Sequence, residues 1–148
     1  MRLVSAAIFL LAAGLSPACA TANLVCEIAD KSLNGHLGAL MGTLPGLMQV
    51  KGEFEIVAKG VPEDFRKVRL TGENLPHSWA HGRELKLHAY MERDKGHFAS
   101  FELVIDTKAT SAGSYRGPYE LKVSFTPGEG AGENRVITLR GKASCSLG

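Results

Sequence analysis

The sequence predicts an all-β fold: a single antiparallel β-sandwich of about seven strands, immunoglobulin-like in general architecture, with a small β-barrel as the alternative. Three observations predict it. Seven segments alternate apolar and polar residues at period two, turn residues separate them, and no helical pattern alternates with the strands. Sandwich and barrel share the same inward and outward alternation, so strand patterning alone leaves both open.

Residues 1–20 read as a targeting segment. Arg2 supplies the positive end, an apolar run covers residues 6–15, and Ala18-Cys19-Ala20 places small residues where cleavage after Ala20 is expected. The run is shorter than the roughly 20 residues of a spanning helix and is broken by Gly14 and Pro17, so no transmembrane span is expected in the mature chain. Lipidation at Cys19 is the alternative use of this segment; Ser16 stands where such a signal carries an aliphatic residue. The mature chain, residues 21–148, is long enough for one domain with its own core. A periplasmic or secreted location follows from the export signal.

Cleavage reduces the three cysteines to two, Cys26 and Cys145, near the two ends of the mature chain. In an exported protein a disulfide between them is the direct inference, tying the first strand to the last. There is no Cys-x-x-Cys pattern to argue for redox chemistry.

Residues 23–29 form the first predicted strand, with Leu24, Cys26 and Ile28 on one face. Residues 49–59 give the clearest alternation: Val50, Phe54, Ile56 and Ala58 against Lys51, Glu53, Glu55 and Lys59. A break at 60–64 containing Pro62 precedes a short strand at 65–71, with Val68 and Leu70 inward. Residues 72–83 read as an irregular connection carrying Pro76, His77, Trp79 and His81. Residues 84–91 alternate again, placing His88 outward and Met91 inward. After turn chemistry at Asp94-Lys95-Gly96, residues 97–107 set Ala99, Phe101, Leu103 and Ile105 in phase. Phe98 and Val104 on their other face predict a central strand covered on both sides. Pro118 lacks a ladder donor and is expected at a strand start, an edge or a bulge. A terminal hairpin, residues 119–126 and 135–145, closes the chain with Cys145 on its apolar face.

Several function classes lose support at this level. Lys and Arg number 17 against 15 Asp and Glu, a net +2 that falls to +1 when Arg2 leaves, with the signs interspersed; no basic stripe marks a nucleic-acid binder. No Gly-x-Ser-x-Gly elbow, His-Glu-x-x-His pattern or phosphate-binding glycine loop occurs. Glu53 and Glu55 share an outward face about 7 Å apart at strand rise, yet Lys51 and Lys59 beside them favour a solvated charged face. No catalytic set is assigned.

Two stretches remain as candidate sites. Residues 32–50 contain no Asp, Glu, Lys or Arg, but hold leucines and methionines among glycines. Leu33, Leu37, Leu40, Met41 and Leu44 fit a helical face that Ser32 would cap, although each interior glycine costs a helix about 1 kcal/mol. The segment is expected either to plug one end of the fold or to present Leu37, Leu40, Met41, Leu44 and Leu47 to a protein, peptide or lipid partner. The other stretch carries His77, His81 and His88, whose imidazoles suit copper or zinc. The leading expectation is an exported, non-enzymatic binding protein acting through residues 32–50; the competing one is a periplasmic copper- or zinc-binding protein.

Overall fold

The computed structural model describes residues 21–42, 46–128 and 133–148. Residues 1–20, expected to be a targeting segment, therefore lie outside the described residues, as does Leu44. Among those described, nine strands run in chain order: β1 (Ala22–Ala29), β2 (Leu33–Met41), β3 (Leu47–Ile56), β4 (Lys67–Thr71), β5 (His77–His81), β6 (Glu84–Glu92), β7 (Ala99–Ser111), β8 (Ser114–Phe125) and β9 (Arg135–Leu147). Two 3-10 turns, η1 (Glu63–Phe65) and η2 (Gly72–Asn74), flank β4.

All nine strands belong to one antiparallel sheet, in the order β4-β3-β2-β1-β9-β8-β7-β6-β5. The all-β class stands; the seven-stranded sandwich does not. Among the described residues there is no second sheet, because β1 pairs with both β2 and β9 and so joins the two runs of consecutive hairpins. The sheet buries its inner face by curling on itself as a half-barrel. Phe54 on β3 and Phe101 on β7 approach to 6.2 Å between ring centroids, although four strands lie between them in the sheet. Laid flat, five strand spacings would hold those strands about 24 Å apart. The barrel alternative is the nearer description, but β4 and β5 remain as edges.

The two strands that raise seven to nine both lie in stretches where the alternation is weak. β2 occupies the first half of residues 32–50, the segment expected to be helical or irregular. Leu33 and Leu37 sit four apart, a spacing that fits a helix face and equally one face of a strand; both are buried on the inner face with Ala39. Antiparallel pairing on both sides, to β1 and β3, supplies the backbone bonds that a glycine-rich helix would have had to make alone. β5 occupies the stretch read as irregular, and all five of its residues are exposed, so no apolar inward row announced it.

Other strands follow their alternation closely. Leu103, Leu121 and Val123 are almost wholly inaccessible, and the terminal hairpin is β8 paired with β9. Two expectations are corrected. β7 is internal to the sheet, but its outer face is open: Val104 is 40% exposed and Phe98, just before the strand, 44%. Among the described residues no second layer stacks on the convex side. Pro118 is not at a strand end or edge but inside β8, opposite Lys142 of β9. On its other side the β7 register passes from Ile105↔Tyr119 to Lys108↔Arg116 with no pair at Pro118, which is how an internal strand accommodates a residue without an N–H.

Two devices tie the curl. Cys26 and Cys145 face each other in the β1–β9 register and are bridged, with Cα atoms 4.0 Å apart and both side chains buried. The expected staple between first and last strands is formed. Nearby, the buried Tyr119 hydroxyl donates to Asp30 Oδ2 at 2.5 Å, while Asp30 Oδ1 accepts the amides of Ser32 and Leu33 at 2.8 and 3.0 Å. Asp30 thereby holds the β1–β2 turn to β8. Gly141 on β9 makes the space: a Cβ there would lie 2.4 Å from Asp30 Oδ2 and 2.6 Å from Tyr119 Cε1. Burial pushes Tyr119 well above the usual phenol range, reinforced by its bond to Asp30. Burial also tends to raise Asp30, but the Tyr119 and backbone hydrogen bonds outweigh it and hold the carboxyl below its usual value.

Candidate functional site

The described part of the uncharged segment forms β2 and the start of β3, and toward the end of this hairpin Met48 is an exposed apolar side chain. Near the tip the register shifts between Gly38 and Leu40: Gly38 opposes Lys51, whereas Leu40 opposes Met48. The two residues Gln49 and Val50 are thus set against Ala39 alone, a β-bulge, with Gln49 in the left-handed region at φ 50°. Bulges bend a strand and re-aim its side chains. Here Leu40 and Met48 are directed to the outer face, where Met48 is 48% exposed, while Met41 and Leu47 pack partly on the core. Residues 47–50 of β3 extend beyond the ladder with β4, which begins at Lys51↔Thr71.

The five residues named for partner contact therefore separate. Leu37 is a core residue, 1% exposed, and is withdrawn from the contact surface. Met41 and Leu47 are half-buried supports, Leu40 is half-buried on the outer side, and Leu44 is not among the described residues. Met48, absent from the named set, is the most exposed apolar side chain on the described part of this hairpin. Its signal was present: once the segment is paired as a hairpin, Met48 takes the outward phase with Leu40.

Beside the tip, the missing side chain of Gly38 leaves a shallow depression of about 490 Å³ on the outer face, whose lining includes Asn23, Val25, His36, Leu40, Gln49 and Lys51. Polar donors and one ammonium group thus adjoin an uncharged apolar tip. A larger open depression of about 830 Å³ crosses β2, β3 and β4 and contains Glu53 and Glu55. Glu53 is 3.3 Å from Arg69 and Glu55 is opposite Lys67, so these carboxylates sit among cations on a solvated face.

The histidines lie on the outer face of β5 and β6. β5 is a strand, so His77 and His81 share a face despite the loop expected from Pro76 and Gly82; four residues of strand rise put them about 13 Å apart. His77 and His88 are register partners with rings stacked, 5.7 Å between centroids and 14° between planes. His88 Nε2 lies within hydrogen-bond distance of Glu102 Oε1, at 3.0 Å. His81 instead neighbours Trp79, at 5.8 Å between centroids. The structure brings His77 and His88 together and leaves His81 apart. Among the described residues, no group of three or more His, Cys, Asp or Glu is arranged to hold a metal ion.

Arg93, after β6, closes the seam between the two ends of the sheet. It donates Nε and an Nη to the two carboxylate oxygens of Asp64 at 2.6 and 2.7 Å, donates its other Nη to the His97 carbonyl at 2.7 Å, and lies over the Phe65 ring at 5.6 Å. The Arg93 hydrogen bonds hold the Asp64 carboxyl below its usual range, and the same bonds raise the guanidinium.

Fold and site together define a single-sheet antiparallel half-barrel, tied between its first and last strands by a disulfide and bearing an uncharged hairpin. No protein-family model matches the chain, and no curated protein or solved structure is significantly similar to it.

Proposed function

We propose that this is an exported, non-enzymatic binding protein that docks on a lipid surface through the β2–β3 tip. One observation carries the reading: an apolar tip without charge, bearing Leu40 and Met48 on its outer side, adjoins a polar depression that holds Lys51. That is the complement of an amphiphile, with apolar side chains for acyl chains and an ammonium group for an anionic headgroup. The disulfide supports export to the periplasm or beyond, since such bonds persist in oxidising compartments.

Vesicle flotation tests this. The oxidised mature protein is expected to float with vesicles containing anionic lipid and to bind zwitterionic vesicles less. Met48→Asp and Leu40→Asp should each abolish flotation while preserving the fold, and Lys51→Gln should remove only the preference for anionic lipid. No flotation with either vesicle type, or flotation unchanged in both aspartate variants, refutes the proposal.

Copper or zinc binding is a second reading, favoured by the facing His77 and His88. Glu102 occupies His88 Nε2 as a carboxylate does when it orients a metal-ligating imidazole. On this reading His77→Ala and His88→Ala each abolish Cu(II) uptake measured by titration calorimetry, and His81→Ala does not. Equal binding by all three variants refutes it.

A further inference from the structure

The two edges of the sheet are built differently. Edge strand β4 carries Lys67 and Arg69 on its outer face, and both 3-10 turns flank it; η2 reaches β6 through the Asn74 amide and the Tyr90 carbonyl at 3.5 Å. Charged side chains and covering turns are how natural sheets prevent edge-to-edge pairing. Edge strand β5, His77-Ser78-Trp79-Ala80-His81, has no charged residue, no proline and an unbroken register with β6, and all five residues are exposed.

The backbone of β5 specifies what could cover it. Gly82, at φ 58°, and Arg83 form a two-residue loop to β6, and the closing pair of such a hairpin, here His81↔Glu84, exchanges both backbone hydrogen bonds. Alternating back along the ladder, Trp79 and His77 also bond to β6. The amides and carbonyls of Ser78 and Ala80 are left directed away from the sheet, and another extended backbone satisfies such a row.

The side chains identify which backbone. Read in either direction, the outward residues are His, Trp, His, and the two inward residues are small. An isologous contact requires this self-complementarity. In an antiparallel pair of β5 strands centred on Trp79, Ser78 of one copy meets Ala80 of the other and forms the hydrogen-bonded pairs. The two Trp79 residues meet across the axis at a non-hydrogen-bonded pair, where side chains are closest. Trp79 is 56% exposed in the single chain. It borders a shallow apolar hollow of about 240 Å³ lined also by His77, Lys86, His88 and Val104.

We infer that two copies of this chain pair through β5, Trp79 against Trp79, into one continuous antiparallel sheet. The contact is short, below the roughly 1,200 Å² of a standard interface, so a weak and concentration-dependent dimer is expected. It lies on a different hairpin from the proposed lipid-binding tip and does not depend on it.

Analytical ultracentrifugation from about 10 µM to about 1 mM, the regime of such small contacts, tests the inference alongside Trp79 fluorescence. Trp79 is the only tryptophan in the chain, so its emission should shift to the blue as the dimer fraction rises. Ser78→Pro removes an outward N–H while sparing the β5–β6 ladder, and Trp79→Lys places a cation at the axis. Each is expected to be monomeric across the range with an unchanged far-UV spectrum, while Met48→Asp dimerises as the parent does. A parent protein that stays monomeric, a dimer that survives both β5 variants, or a dimer lost in Met48→Asp overturns the inference.

Discussion

Replacing Tyr119 with Phe tests whether the Asp30–Tyr119 bond secures the curl. The substitution removes one oxygen from a buried ring that is only 2% exposed, without opening a cavity, so the change isolates the hydrogen bond. That bond joins a neutral donor to an ionised acceptor at 2.5 Å, and bonds to charged groups contribute about 1.5–3 kcal/mol. Asp30 keeps its two backbone amide bonds in the variant and is partly accessible, so water can take the vacated position and the lower half of that range is expected. For a domain between the usual small and medium sizes, about 1.5–2 kcal/mol corresponds to a melting temperature lower by about 4–10 °C. The loss should also depend on pH. The folded carboxyl titrates below its unfolded value of about 3.9; its contribution is complete above that value and disappears as pH falls through the lower folded pKa. Urea melts of parent and variant should therefore differ most near pH 7 and converge toward pH 2. A difference under about 0.5 kcal/mol at pH 7, smaller than any hydrogen bond to a charged group should leave, or one constant from pH 7 to pH 2, refutes this account of the corner.

Gly141→Ala should destabilise more than Tyr119→Phe, because its methyl meets both the Asp30 carboxylate and the Tyr119 ring; equal melting temperatures for Gly141→Ala and the parent would show that the β9 backbone yields freely. Leu37→Ala should cost about 2–5 kcal/mol in urea melts, the range for a buried leucine. Leu40→Ala and Met48→Ala on the outer side of the same hairpin should stay within about 1 kcal/mol of the parent. Reduction of the Cys26–Cys145 bond, which closes a sequence separation of 119 residues, should lower stability by about 4–5 kcal/mol on the chain-entropy account. Thiol titration of the denatured, unreduced chain should find neither of these two cysteines free.

Much of the inner face was legible in the sequence because one buried face imposes period two. Val68 and Leu70, Leu85 to Ala89, Ala99 to Ile105 and Tyr119 to Phe125 all lie in the predicted phase. The sequence could not count sheets: inward alternation is the same whether the covering layer is a second sheet or the far side of the same one, and Phe54 meets Phe101 only because of the curl. β2 was hidden by ambiguous spacing, since Leu33 and Leu37 satisfy both periods. β5 was hidden by exposure, although His77, Trp79 and His81 do alternate with Ser78 and Ala80. The Asp30–Tyr119–Gly141 corner was unreadable for another reason. Its residues are spread over 111 positions of chain, and β1, β8 and β9 bring them together only through long-range pairing.

What separates the candidate surfaces from the remainder of the convex face is their charge more than their exposure. Val57, Phe98 and Val136 are exposed apolar residues too, and isolated ones are ordinary on any protein surface. Elsewhere the outer rows interleave ions: Glu120 with Lys122 at 3.0 Å and Arg140 at 2.6 Å, or Lys86 with Asp106 at 3.5 Å. Pairs this exposed contribute little stability, but they keep strands hydrated and keep neighbouring molecules away. Residues 32–50 and 77–81 are without Asp, Glu, Lys or Arg on hairpins whose outward side chains include Met48 and Trp79. Neither Met48 nor Trp79 is needed to fill the core, which Leu37, Phe54 and their buried neighbours already occupy. Replacing each with a charged residue should therefore leave the fold intact and abolish one association each, vesicle binding for Met48 and self-pairing for Trp79.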